Sequence, residues 1–252
     1  MSSTTLPPQR PAIEHPLLVI ERILRNREGI WQQISNEYRI GQLIMQMLLS
    51  STIAMSCYGV VLGSSNGFLQ AISSAIKLPI LFLLTLAICL PTLYLFNLVF
   101  GARLSVQQAL ALVMTAITVT AMLTLAFAPI SLFFLITAPD YEFFKLLNVA
   151  ILTLTGIIGL RFLISGMSHM NRLNAAQLPA PAATDAQPAP VERPVSMSLI
   201  YLWVVLYGFV GTQLAWTLRP FFGDPSQPFA IFRTIEGNFY VNIVLSLAKL
   251  FD

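Results

Sequence analysis

In this chain of 252 residues, 56% are hydrophobic and only 10% are charged, too few to cover a soluble domain of that length; globular proteins average roughly 25% charged residues. The mean hydropathy is +0.74 and the apolar residues come in long runs, which is the pattern of membrane-spanning helices. A net charge of +3 then reflects basic residues facing anionic lipid, and no nucleic-acid partner is expected.

Residues 1–16 are polar and hold four prolines, so they read as a disordered tail. No apolar core with a small-residue cleavage site follows, so the first span is expected to direct insertion. Residues 17–39 form the next element. Ile20, Ile23, Leu24, Ile30, Trp31, Ile34 and Tyr38 recur at helical spacing, with Arg22, Arg25 and Arg27 on other faces. The segment is too charged to span. It reads as an amphipathic helix in the headgroup layer, kinked at Gly29, with its basic residues facing lipid. The alternative is a juxtamembrane helix packed on its own protein.

Residues 40–165 read as a four-span membrane region. The first span, 40–62, carries Gln42, Gln46 and Ser50 at i, i+4 and i+8, and Gly59 and Gly63 as a GxxxG pair. Both features suit helix–helix packing. Residues 64–77, SSNGFLQAISSAIK, read as a connector. The second span, 78–100, holds Asn97 and is expected to kink at Pro91, whose missing N–H frees a carbonyl. A tight turn with Arg103 follows. The apolar run 106–137 exceeds one untilted span of roughly 20 residues. Pro129 divides it into a span and a piece, 129–137, that lies at the interface or continues a bent helix. Thr115, Thr118 and Thr124 can bond their own backbone. The fourth span, 143–165, brings Asn148, Gly156 and Gly159; the two Asn amides are read as ties between helices.

Residues 166–197 are assigned to a Pro/Ala-rich linker, clearest from 174 onward, where five prolines leave nothing to pack. The fifth span, 198–218, precedes an aromatic interfacial segment, 219–252. Within it, RPFFGDPSQPFAIFRTIEGNFY carries six aromatic rings and three prolines. Arg219, Phe221, Phe222, Asp224, Phe229, Phe232, Arg233, Glu236, Asn238 and Tyr240 are its candidate partner or interface residues. Its charges are expected to pair locally, and its rings to sit at the headgroup level as a cap on the membrane surface. The fold expected is all-α: an integral membrane helical bundle of about five transmembrane helices, preceded by the amphipathic interfacial helix.

Five spans put the termini on opposite sides. Arg10, Arg22, Arg25, Arg27, Arg39, Arg103, Arg161, Arg172 and Arg193 make nine basic residues on one side. Lys77, Lys145, Arg219, Arg233 and Lys249 make five on the other. The positive-inside rule places the amino terminus in the cytoplasm, most simply of a bacterial inner membrane. Lys77 and Lys145 are read as anchors flanking spans, and Arg161 as snorkelling to the headgroups.

No Asp, Glu or His occupies the middle of a span, and no HExxH, GxSxG, Walker loop or CxxC occurs. Cys57 and Cys89 read as two isolated buried thiols. No catalytic residue, cofactor or metal site is expected. The run KLPILFLLTLAICLPTLYLFNLVFG, with the spans after it and a cytoplasmic amino terminus, resembles bacterial relatives of the Yip1 family over roughly residues 70–220. Around Pro79, Pro91, Asn97 and Gly101 the chain also resembles a group of bacterial five-span proteins. Some of these share the RPF…GNFY pattern, matched here by Arg219, Pro220, Phe221, Gly223, Pro225, Phe229, Phe232, Arg233, Gly237, Asn238, Phe239 and Tyr240. The Yip1 resemblance implies a membrane-shaping or trafficking scaffold. The leading functional reading is a non-enzymatic membrane scaffold or assembly subunit that engages lipids, partner proteins or a second copy of itself. The alternatives are a transporter or channel component using the Gln42/Gln46/Ser50 stripe, and a lipid-modifying enzyme with its site in the cap.

Overall fold

The computed structural model describes residues 16–99, 104–138, 140–176, 197–223, 229–233 and 237–251. Among them there is no strand. In hydrocarbon a backbone must satisfy its own hydrogen bonds, and helices do so within each segment. Five helical stretches are long and apolar enough to cross a membrane: Ile40–Asn66, Phe68–Leu95, Val106–Thr137, Tyr141–Met170 and Ile200–Thr217. The chain is an all-α membrane bundle.

Two short helices come first, α1 (Pro16–Arg25) and α2 (Arg27–Ser35). The break between them falls at Asn26 rather than Gly29. The Asn26 side chain accepts the Gly29 N–H at 3.1 Å and caps a new helix. Ile30, Trp31 and Ile34 are buried against the bundle. Gln108 donates its amide to the carbonyls of Ile34 (3.4 Å) and Ser35 (3.1 Å). The packed alternative therefore describes these contacts. Arg22 bonds Gln33 and Arg25 pairs with Glu21, while Arg27 is exposed.

The bundle proper consists of α3 (Ile40–Gly63), α4 (Phe68–Val99), α5 (Val106–Ala126), α6 (Ala128–Thr137), α7 (Tyr141–Ala176), α8 (Met197–Thr217) and α9 (Phe239–Phe251). α3 packs on α4 and α5, α5 on α7, and α4 on α8. α5 is central: every residue from 111 to 121 is buried. Its Ala, Thr and Val side chains let neighbours approach closely, which is how helices associate in lipid. Gly159 of α7 uses that closeness; a Cβ there would lie 2.6 Å from the Ala116 carbonyl oxygen.

Several sequence expectations shift. The supposed connector 64–77 is mostly helix. Only a 3-10 turn, Ser64–Asn66, and Gly67 at φ 102 separate α3 from α4, so α4 starts at Phe68. α7 runs on to Ala176, so residues 166–176 are helix and not linker. α4 continues through both Pro79 and Pro91. Near Pro91 the Cys89 carbonyl accepts the Trp203 indole N–H (3.0 Å) and the Thr92 hydroxyl (2.7 Å), which ties α8 to α4. Pro129 sits in the first turn of α6, where its missing N–H costs nothing.

The Gln42 stripe is not a buried seam: Gln42 is exposed, Gln46 half-buried and Ser50 buried. Each four-residue step in a 3.6-residue helix turns the stripe by about 40°, so its ends face different ways. The GxxxG pair does form a close crossing. A Cβ at Gly59 would lie 2.5 Å from the Ser74 carbonyl oxygen, and one at Gly63 would overlap the Gln70 carbonyl and Ala71 Cα. Thr115 and Thr118 bond their own backbone as expected, but Thr124 instead meets the Thr155 hydroxyl at 2.9 Å. Cys57 is exposed and only Cys89 is buried. The side chains of Asn97 and Arg103 lie outside the described residues.

Candidate functional site

The segment after α8 is seated on α4 by three polar side chains. Gln70 donates its amide to the Pro220 carbonyl at 3.0 Å. Ser74 donates to the Phe221 carbonyl at 2.6 Å. Lys77 donates to the Pro220 carbonyl at 3.5 Å and also to that of Ile231. These residues stand at i, i+4 and i+7, one stripe down one helix face. Lys77 is only 5% exposed, and its ammonium lies 4.7 Å from the Phe232 ring centroid. It is therefore a buried clasp and not an anchor flanking a span. The irregular backbone it holds has carbonyls that no helix uses, and an ammonium with three donors satisfies several of them. Arg219 stacks 3.7 Å from the Trp216 ring centroid, Phe222 meets Phe144 edge to face, and Trp216 donates to the Gly237 carbonyl at 3.2 Å.

Helix α9 then crosses from the end of α8 to the start of α7. Tyr240 meets Thr212 at 2.9 Å, and Lys249 meets Glu142 at 3.5 Å. Glu142 also pairs with Lys145 at 2.5 Å, and Lys145 is buried, with its ammonium 5.2 Å from the Tyr141 ring centroid. Lys145 thus sits in a charge cluster under α9, which the anchor reading did not anticipate.

Behind this cluster lies a cavity of about 770 Å³ between α4, α5, α7, α8 and α9. That is within the usual range for a small-molecule site. Its walls run along α7 from Glu142 to Leu163. At 1.5 Å per residue this is roughly 30 Å, the thickness of a bilayer's hydrocarbon core. Most of its depth is apolar: Leu81, Phe82, Val113, Ile117, Leu152 and Leu160. The end under α9 is charged, with Glu142, Lys145, Arg219, Arg233 and Lys249. Three glycines keep the gap open. A Cβ at Gly156 or Gly208 would meet nothing within 4 Å, and one at Gly211 nothing nearer than Thr85 at 3.7 Å. Gly156 therefore faces open space and does not serve close packing.

On the α3 side of the bundle, Asn148 does tie helices together. Its side-chain oxygen accepts the Tyr58 hydroxyl at 2.6 Å and the Ser131 hydroxyl at 2.8 Å, and its NH₂ donates to the Phe144 carbonyl at 2.8 Å. This joins α3, α6 and α7 where no water competes. Asn148→Leu is expected to cost about 1–2 kcal/mol, because the Tyr58 and Ser131 hydroxyls, 3.2 Å apart, are left with only each other. Thermal unfolding in detergent measures it, and Ser131→Ala should cost less.

The structure thus brings Arg219, Phe221, Phe222, Arg233 and Asn238 to the cavity end. Phe229, Phe232 and Tyr240 stay largely exposed. Asp224 and Glu236 lie outside the described residues. The sequence reading does not single out Gln70, Ser74, Lys77, Lys145 and Lys249 as a site. The stripe at 70, 74 and 77 is visible once that stretch is read as helix; the meeting of Glu142 with Lys249 has no sequence signal. Comparison with known protein families, curated proteins and solved structures found no match, so the Yip1 resemblance stays an expectation from architecture.

Proposed function

We propose that this chain is a non-enzymatic integral membrane protein that holds an amphiphilic molecule inside its bundle, a lipid-engaging scaffold or assembly subunit. One observation carries the reading: a single cavity is apolar over roughly a bilayer's depth and charged at one end. An acyl chain matches the first part and a polar head the second. α8 touches mainly α4, which leaves a side of the cavity toward α7 for entry from the bilayer. The asymmetry of nine basic residues to five supports an amino terminus in the cytoplasm and the charged end on the other face. Exposed Phe229, Phe232 and Tyr240 supply an aromatic face for the headgroup layer or for other membrane proteins.

The test is lipid retention. The full chain, purified from membranes in mild detergent, is expected to carry phospholipid through native mass spectrometry. Gly156→Leu combined with Gly208→Leu puts two side chains into the cavity from positions where an added Cβ meets nothing within 4 Å. That variant should fold normally and lose most of the retained lipid. Equal retention by both proteins would remove the cavity as the lipid site.

A further inference from the structure

The charged end of the cavity says which amphiphile fits, and this inference rests on the amphiphile reading above. We propose that the occupant is an anionic phospholipid whose phosphate is held between Lys145 and Lys249, the two lysines that share Glu142.

Two ammonium groups share one carboxylate here. Lys145 reaches one Glu142 oxygen at 2.5 Å and Lys249 the other at 3.5 Å. The trio carries two positive charges and one negative, so one positive charge is left for a ligand. Lys145 and Glu142 are mostly enclosed, with side chains 11% and 22% exposed, whereas Lys249 is 67% exposed. A phosphate arriving from the cavity meets Lys145 at the wall and Lys249 at the rim. The longer Lys249 contact is the weaker one, so it is the one a phosphate oxygen replaces. Charge-assisted contacts to phosphate are roughly twice as strong as neutral hydrogen bonds, and a lysine meets a phosphate as a point charge from any side. Arg219 and Arg233 line the same end, while Glu142 is the only carboxylate among the described lining residues. A second anionic charge on the head adds attraction there; the ammonium of a zwitterionic head adds repulsion. The lysines stand on α7 and α9, the helices that frame the mouth, so the head lies at the bundle end and its chains run inward past Leu152 and Gly156.

The experiment is competition in native mass spectrometry. The full chain is offered phosphatidylglycerol and phosphatidylcholine with the same acyl chains. The expected result is a preference for the anionic lipid of about fivefold or more, the factor expected for one basic side chain near anionic lipid. Lys249→Gln, a change at an exposed position, should bring the two lipids close to parity. Glu142→Gln should raise the preference, because it removes the carboxylate that competes with phosphate. Excess inorganic phosphate should leave the lipid bound. Equal uptake of both lipids by the unaltered chain overturns the headgroup assignment and leaves the amphiphile reading standing. Uptake of neither lipid overturns both. A preference unmoved by Lys249→Gln and Glu142→Gln overturns this site, and displacement by inorganic phosphate overturns the lipid as occupant.

Discussion

Lys77→Met is expected to release the C-terminal segment from the bundle. Met matches the lysine stem in length but donates nothing, so the Pro220 and Ile231 carbonyls lose a charged donor. Hydrogen bonds to charged groups contribute about 1.5–3 kcal/mol each, so a loss of about 3 kcal/mol of local stability is expected. Ser74 and Gln70 still hold Pro220 and Phe221, so the detachment should begin at the Ile231 side. Hydrogen exchange checks it: amides at 229–233 should exchange much faster in the variant, while those in α5 stay protected. Because Arg219, Arg233 and Phe221 line the cavity end, the same variant should also retain less lipid. Unchanged exchange at 229–233 would show that the Lys77 bonds do not seat the segment.

Gly59→Ala is the second large effect. A single methyl group there would lie 2.5 Å from the Ser74 carbonyl oxygen and 2.7 Å from the Ala75 Cα. Both are backbone atoms of a helix, which no rotamer change can move aside. α3 and α4 must separate, and overpacking of this kind costs about 3 kcal/mol. The neighbouring side chains Ser74 and Lys77 would shift with α4, so the seat of the C-terminal segment would suffer too. Gly208→Ala is the matching control. It faces open space, and exchanging Gly for Ala inside a helix is worth up to about 1 kcal/mol of added stability. Thermal unfolding of the two variants should therefore move in opposite directions. A shared direction would mean that α3 and α4 do not cross as closely as described.

The readings that survived from the sequence are those carried by local composition. Long apolar runs gave the spans, because lipid contact demands apolar side chains whatever the packing. The start of α5 fell at the sequence expectation, where Ser105 and Gln108 form a capping box. The readings that moved were carried by weaker local cues. Polar letters in SSNGFLQAISSAIK suggested a loop, yet only Ser64–Asn66 turn, and Gln70, Ser74 and Lys77 are one helix face pointing at a distant segment. Gly156 and Gly159 look alike in the sequence; one meets Ala116 and Thr120, the other faces an open gap. The Gln42 stripe looked continuous only because i, i+4, i+8 ignores the drift of the helix.

By itself, then, the sequence determined that the chain is an all-α membrane bundle, that five stretches can span, and that α3 has a glycine face. Those properties follow from how each stretch meets lipid or turns its own backbone. Only the tertiary structure decided that Gln70, Ser74 and Lys77 clasp the C-terminal segment, and that Glu142 lies between Lys145 and Lys249. The clasp and the Glu142–Lys249 pair join residues more than a hundred positions apart, and nothing in either stretch specifies the other. The cavity is decided the same way: it is the space left where α8 leans on α4, and a gap between helices is a property of their packing alone.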